Sequence, residues 1–175
     1  MRKLKVAVTP DDHMKGAVEA ECCLVEYGDY ECPSCGAAQP MIRDLQLRFG
    51  DRLSVVFRNF PLSEMHPHAE PAAEVAEFAG DHGKFWEMHD LLFDHQDELD
   101  DRLFHVLADR LGLVDSELQA AVDDKYYSKR IQADFAGGVR SGVNGTPTFF
   151  INGERFDGST DYDSFVVAIK QTLAS

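Results

Sequence analysis

The stretch Leu24-Val25-Glu26-Tyr27-Gly28-Asp29-Tyr30-Glu31-Cys32-Pro33-Ser34-Cys35 decides how this chain reads. Leu24-Val25-Glu26-Tyr27 is a strand-like run that stops at Gly28-Asp29. From Cys32-Pro33 the period changes. Ala37, Met41, Leu45 and Phe49 recur every four residues with Ile42 beside them, and Gly50 stands where a helix closes. Pro40 falls inside this pattern and predicts a kinked helix. Leu53 to Phe60 alternates in part, ends at Pro61, and reads as a second strand. Strand, loop, helix, strand is a βαβ unit with Cys-x-x-Cys opening its crossover helix.

Working outward, the chain turns helical. From about Pro71 to about Val139 no strand signal appears. Val75, Phe78 and Ala79 share one helical face; Phe85, Met88 and Leu92 share another, with Trp86 and Phe93 alongside. Leu103, Val106, Leu107 and Leu111 mark a third helix, opened by Asp100-Asp101, whose charges suit the dipole, and stopped by Gly112. Tyr127, Ile131, Phe135 and Val139, four residues apart, predict one buried stripe on a fourth. Strands return at Thr148-Phe149-Phe150-Ile151; Asn152-Gly153 is a hairpin signal, and Glu154 to Asp157 is the partner strand. A last helix runs from about Asp161 to Leu173 with Phe165, Val166, Ile169 and Leu173 on one stripe. The expected layout is α/β: one domain over residues 1–175, with βαβ and ββα parts at about 22–64 and 140–175. An all-helical insertion occupies about 65–139.

Composition narrows the function. The 175 residues carry 17 Lys and Arg against 31 Asp and Glu, a net charge of −14, which excludes non-specific nucleic-acid binding and docking on anionic membranes. No run approaches the roughly 18 apolar residues of a membrane helix. The opening Met1 to Pro10, broken by Lys5 and stopped by Pro10, lacks a secretory core. The chain therefore reads as soluble and cytosolic, a compartment in which Cys-x-x-Cys is more often catalytic or metal-binding than structural.

Four cysteines lie between positions 22 and 35, too few to staple a fold this large and too crowded to be incidental. A thiolate is the nucleophile in disulfide chemistry. At a helix N-terminus, Cys32 meets unpaired backbone N–H groups and the positive end of the dipole. Those terms move a thiol by roughly one pKa unit, so larger shifts need direct hydrogen bonds, including one from Cys35. On this reading Cys32 is the exposed nucleophile and Cys35 the buried resolving thiol. The competing reading is half of a zinc site. It lacks a second pair, because Cys22 and Cys23, adjacent on a strand, point to opposite faces. Those two read either as small buried residues at a strand start or as an auxiliary redox or metal pair. The histidines, including His66, His68, His82, His89, His95 and His105, read as surface and helix-face residues.

Glu26 to Cys35, together with Gly145-Thr146-Pro147-Thr148-Phe149-Phe150-Ile151-Asn152-Gly153, resembles the two facing segments of DsbA-like thioredoxin-fold proteins. The resemblance spans roughly residues 22–173. Its flavour is that of the group without signal peptides, and of thioredoxin domains fused to some sodium/proton antiporters. It implies a thioredoxin fold and exchange of disulfides with protein or low-molecular-weight thiols, with no cofactor and no metal. Cys32 and Cys35 match the catalytic pair, and Pro33-Ser34 the tuning dipeptide. Pro147 matches the cis-proline, with Thr146 beside it presenting backbone to an extended substrate, and Pro40 matches a proline in the active helix.

Glu26 matches a site where the family often buries a carboxylate for proton transfer with the resolving thiol; the plain alternative is a solvated strand-edge acid. Some members pair that acid with a lysine on the next strand. No Lys lies between Leu53 and Phe60, which leaves Arg58 or no partner. The strongest oxidants have histidine where Ser34 stands, and Asp29 and Glu31 flank Cys32 and oppose its ionisation. Both departures predict a thiolate pKa between those of strong oxidants and reductants. A glutathione-dependent isomerase or transferase on the same fold is a further alternative, although such relatives usually replace the nucleophilic cysteine with serine. A zinc-binding or chaperone-like module is the rival from another class.

Overall fold

Strand formation begins at the N-terminal arm. A computed structural model describes residues 2–175. In it β1 (His13–Lys15) is followed by β2 (Cys22–Gly28), then α1 (Pro33–Phe49) and β3 (Leu53–Asn59). Five helices come next: α2 (Ala69–Asp81), α3 (Phe85–Asp94), α4 (Asp101–Arg110), α5 (Asp115–Asp123) and α6 (Ser128–Arg140). The chain ends in β4 (Thr148–Ile151), β5 (Glu154–Arg155) and α7 (Tyr162–Leu173). The sheet order is β1-β3-β2-β4-β5. β2 and β3 run parallel, as a helical crossover requires, and β4 runs antiparallel to β2. This is the thioredoxin fold with a helical insertion between β3 and β4.

Period-two alternation sorts the sheet into two faces. Cys22, Leu24, Val55, Phe149 and Ile151 pack on Ala38, Ile42 and Leu45 of α1 and on Phe165 and Ile169 of α7. Val25, Tyr27, Val56 and Phe150 form the opposite layer, closed by Phe60, Val143 and the arm residues Leu4 and Val8. The insert has its own core, in which Ala72, Ala76, Met88, Leu92, Leu107 and Leu118 are fully covered. Tyr30, Phe57, Cys32 and Cys35 belong to that same cluster, so the insert is packed onto the end of β2 rather than hung beside it.

Several expectations change. β1 went unseen because three residues carry no readable alternation. α5 was missed because Leu118 is its one buried side chain. The stripe of α6 divides: Ile131 is buried, while Phe135 is 36% exposed and Val139 54%, because the inward surface further along is Gly137 and Gly138. A Cβ on Gly138 would lie 2.7 Å from the Phe60 ring, so that close approach requires glycine. β5 covers two residues where four were expected.

Candidate functional site

Cys32 caps α1 with extended backbone, and Pro33 takes the first helical position, where a missing N–H costs nothing. The amides of Cys35 and Gly36 donate to the Cys32 carbonyl at 3.0 and 3.2 Å and start the helix. The thiols are free. Cys32 retains 7% of its surface and Cys35 none. The expected order of exposure stands, but Cys32 is nearly covered, because its Sγ lies 3.4 Å from the Thr146 carbonyl, which accepts its proton. The Thr146–Pro147 peptide is cis.

Cys32 is pushed down to about 5. A hydrogen bond from the Cys35 thiol does most, burial opposes it, and the Thr146 hydroxyl and the N–H groups of Cys35 and Ser34 add to it. That Thr146 hydroxyl is buried and has no other partner. Direct hydrogen bonds thus exceed what a helix dipole supplies alone. Cys35 is pushed far up, first by burial, then by its bond to Cys32 and the negative charges of Glu26 and Cys32. Cys32 thus gives up its proton more readily than a free thiol, and Cys35 far less readily.

Glu26 is 1% exposed and pushed up to about 8, chiefly by burial, with Gln39 and Cys32 as lesser influences. The strand-edge alternative is therefore replaced by a buried acid. Arg58 does not pair with it. In the parallel register Glu26 faces Phe57 and Tyr27 faces Arg58, so the cation lies on the other side of the sheet. There Arg58 binds Asp12 at 2.8 and 2.9 Å, the carbonyls of Val6 and Ala7, and the Tyr27 hydroxyl.

The acids beside Cys32 are also taken up. Asp29 accepts from the amides of Glu31 and Leu62 and bonds His66 Nδ1 at 2.8 Å; Glu31 accepts from the His68 amide and faces its Nδ1 at 3.2 Å. Burial works against the His66 imidazolium, yet Asp29 holds its pKa above the usual histidine value. Both acids set beside the thiolate in the sequence are hydrogen-bonded by the loop after β3, Asp29 to His66 and Glu31 to His68. His89 is not a surface residue: it is 2% exposed and pushed down to about 3, first by burial, then by Lys15 and Arg43.

Sequence reasoning also missed Gln96. Its side-chain amide donates to the carbonyls of Tyr30 and Cys32 at 2.8 Å each, tying the loop to the insert. Gly36 gives it room, since a Cβ there would meet Gln96 Oε1 at 2.5 Å. Cys22 is fully buried and pushed up to about 11 by burial and by Cys23. Cys23 points to the opposite face.

A groove of about 430 Å³ opens beside the thiols, lined by Ser34, Ala37, Met41, Thr146, Pro147 and Tyr162 among others. A larger one of about 510 Å³ is bounded by Pro61, Met65, Ile131 and Phe135; the smaller is the one bordered by Ser34, which lies between the cysteines, and by the cis Pro147. Among the described residues no group of three His, Cys, Asp or Glu side chains is placed to hold a metal ion, and no helix is long and apolar enough to cross a membrane.

Residues 8–171 match the family model described as Thioredoxin. The Na(+)/H(+) antiporter NhaA 1 of Salinispora arenicola is 45% identical over 172 residues, covering 98% of this chain and 26% of that protein. The antiporter NhaA of Herminiimonas arsenicoxydans is 38% identical over 159 residues, covering 90% and 25%. The chain thus spans about a quarter of the length of the curated relatives it matches. Among solved structures, oxidised BdbD from Bacillus subtilis superposes with a TM-score of 0.85 at 23% identity, covering 94% of each chain. Wolbachia pipientis alpha-DsbA1 gives 0.83 at 18%, covering 95% and 93%. Both likenesses are of fold.

Proposed function

The chain belongs to the thioredoxin family, and on that footing we propose that it is a thiol–disulfide oxidoreductase working through Cys32 and Cys35. The observation that carries this is the contrast within one helical turn: Cys32 at the start of α1 beside Thr146, its pKa pushed down by donors, and a fully covered Cys35 behind it, its pKa pushed far up.

In the reducing direction the Cys32 thiolate attacks a substrate disulfide. A Cys32–substrate bond forms, and the other substrate sulfur leaves as a thiolate and takes a proton from water. Cys35 then passes its proton to the Glu26 carboxylate and attacks the Cys32 sulfur. The Cys32–Cys35 disulfide forms, the second substrate sulfur departs, and two electrons have moved from the protein to the substrate. The oxidising direction is the reverse. No diffusible cofactor enters either. Pro33 sets the helix start, Ser34 supplies an N–H to the thiolate, and Thr146 with Pro147 borders the groove that takes an extended protein segment or a small thiol.

A Cys32 pKa of about 5 lies between about 3.5 for the strongest oxidants of this fold and about 7 for its reductants, which supports an intermediate potential. Trapping tests the proposal. Cys35→Ser should accumulate mixed disulfides with protein or glutathione, while Cys32→Ser should not. A Cys35→Ser protein that traps nothing, with a wild type inert toward glutathione disulfide, overturns it. The zinc-module alternative finds no convergent group of three ligands among the described residues.

A further inference from the structure

Behind Glu26 runs a buried chain that disulfide exchange as described does not use. Gln39 Nε2 donates to both Glu26 oxygens at 3.4 and 3.3 Å and to the Cys35 carbonyl at 3.2 Å. On its other side His89 Nε2 lies 3.1 Å from Gln39 Oε1, and the Tyr30 hydroxyl lies 3.0 Å from His89 Nδ1. Glu26, Gln39, His89 and Tyr30 are all buried.

The chain has one consistent direction. A carbonyl only accepts, so the Gln39 end facing Cys35 must be its NH₂ and the other end its oxygen. Oxygen at that end requires His89 to carry its hydrogen on Nε2. Nδ1 is then a bare acceptor, and Tyr30 fills it. We propose that His89, supplied by the helical insert, is a positioning residue for Glu26, holding the Gln39 amide so that its N–H groups face the carboxylate and the Cys35 carbonyl. This rests on the reading of Glu26 as the proton acceptor of Cys35.

His89 suits a positioning role. Tyr30, Phe57, Phe85, Trp86 and Phe93 surround its ring with centroids 4.7–5.8 Å away, and this dry packing keeps it neutral, with a hydrogen on one nitrogen alone. The other ionisable groups around Glu26 are Cys32 and Cys35 on α1 and Tyr30 in the turn before it. Lys15 of β1, Arg43 of α1 and Asp90 of α3 line the same small cavity, with Lys15 and Asp90 4.0 Å apart. Phe57 and Phe149, its neighbours on β3 and β4, carry no charge.

Removing the histidine donor orphans Gln39 Oε1 in a dry site. Without that donor nothing fixes the amide's orientation, and an amide turned over would set its oxygen toward Glu26, where only the protonated acid can donate to it. The chain as built therefore favours the carboxylate, and its loss favours the acid. The test is a carbon-13 titration of the Glu26 carboxyl in the reduced full chain, run beside the pH profile of mixed-disulfide resolution. His89→Phe, which suits the aromatic cage, should raise the carboxyl midpoint by about one pH unit and slow resolution at pH 7 about tenfold. His89→Gln, which can donate to Gln39 and accept from Tyr30, should restore both. Tyr30→Phe, which removes one hydroxyl, should shift the midpoint the same way by less and serves if His89→Phe does not fold. A midpoint unmoved in the folded variants overturns the proposal. Failure of the Glu26 reading looks different: Glu26→Gln would leave the resolution profile unchanged, while the carboxyl titration still reports on His89.

Discussion

Two cysteine pairs lie ten residues apart on one stretch of chain, and the fold treats them oppositely. Cys32 is pushed down to about 5, Cys22 up to about 11. Both are buried, at 7% and 0% exposure. Burial therefore does not separate them; donors do. Cys32 receives a neighbouring thiol and two amides because a helix begins there, whereas the amides of β2 are spent on strand partners, leaving Cys22 with apolar surroundings and the charge of Cys23. Spacing matters for the same reason. Two residues between cysteines on a helical turn bring the sulfurs together; none between them on a strand sends them to opposite faces.

The contrast breaks most directly by substitution. Cys32→Ser should reduce exchange with glutathione disulfide by at least about a thousandfold, to background. Cys22→Ser should stay within about twofold. Comparable losses would dissolve the distinction between the pairs. Alkylation sharpens it without mutation. In the reduced protein Cys32 should react half-maximally near pH 5, and at pH 7 at least about tenfold faster than Cys22, the larger thiolate fraction outweighing the lower intrinsic nucleophilicity. Peptide mapping of the labelled protein reads both sites.

A third test asks whether the strand face that suppresses Cys22 also suppresses Glu26, which points the same way. The folded carboxyl binds its proton more tightly than the unfolded one, so stability is full below about pH 4.5 and is lost as pH rises toward about 8. Glu26→Gln should remove that slope, gaining on the order of a few kcal/mol above pH 8. Denaturant unfolding at several pH values measures it, and parallel curves would mean that Glu26 titrates normally. The smallest effect concerns the loop that carries the redox pair. Gln96→Ala leaves the Tyr30 and Cys32 carbonyls without their donor and should cost about 1–3 kcal/mol, read as a lower unfolding midpoint.

What the sequence conveyed was local. The Cys32–Cys35 helix start, the parallel strands and the Asn152-Gly153 hairpin are each written within a few residues. The polar partners of the site are not. His89 sits on a helix whose apolar spacing is complete without it, and nothing in that spacing marks an imidazole turned inward. Gln39 and Gln96 are ordinary helix-surface residue types, given meaning only by carbonyls and carboxylates far away in the chain. Arg58 reads as a partner of Glu26 until strand register places Phe57 opposite Glu26. The hydrogen-bond partners of Asp29 and Glu31 needed the loop after β3 folded back onto the turn before Cys32.

The sheet is bounded by strands of three and two residues, His13–Lys15 and Glu154–Arg155. Edges that short offer an incoming polypeptide too few free amides and carbonyls for strand addition, a common route to both partner capture and aggregation. On the function proposed above, a segment presenting a disulfide is thereby denied the rim of the sheet, and backbone recognition would fall to the Thr146 loop. A fragment trimmed past Lys15 would uncover the seven-residue, fully buried rim of β3 and should associate with itself more readily than the whole chain.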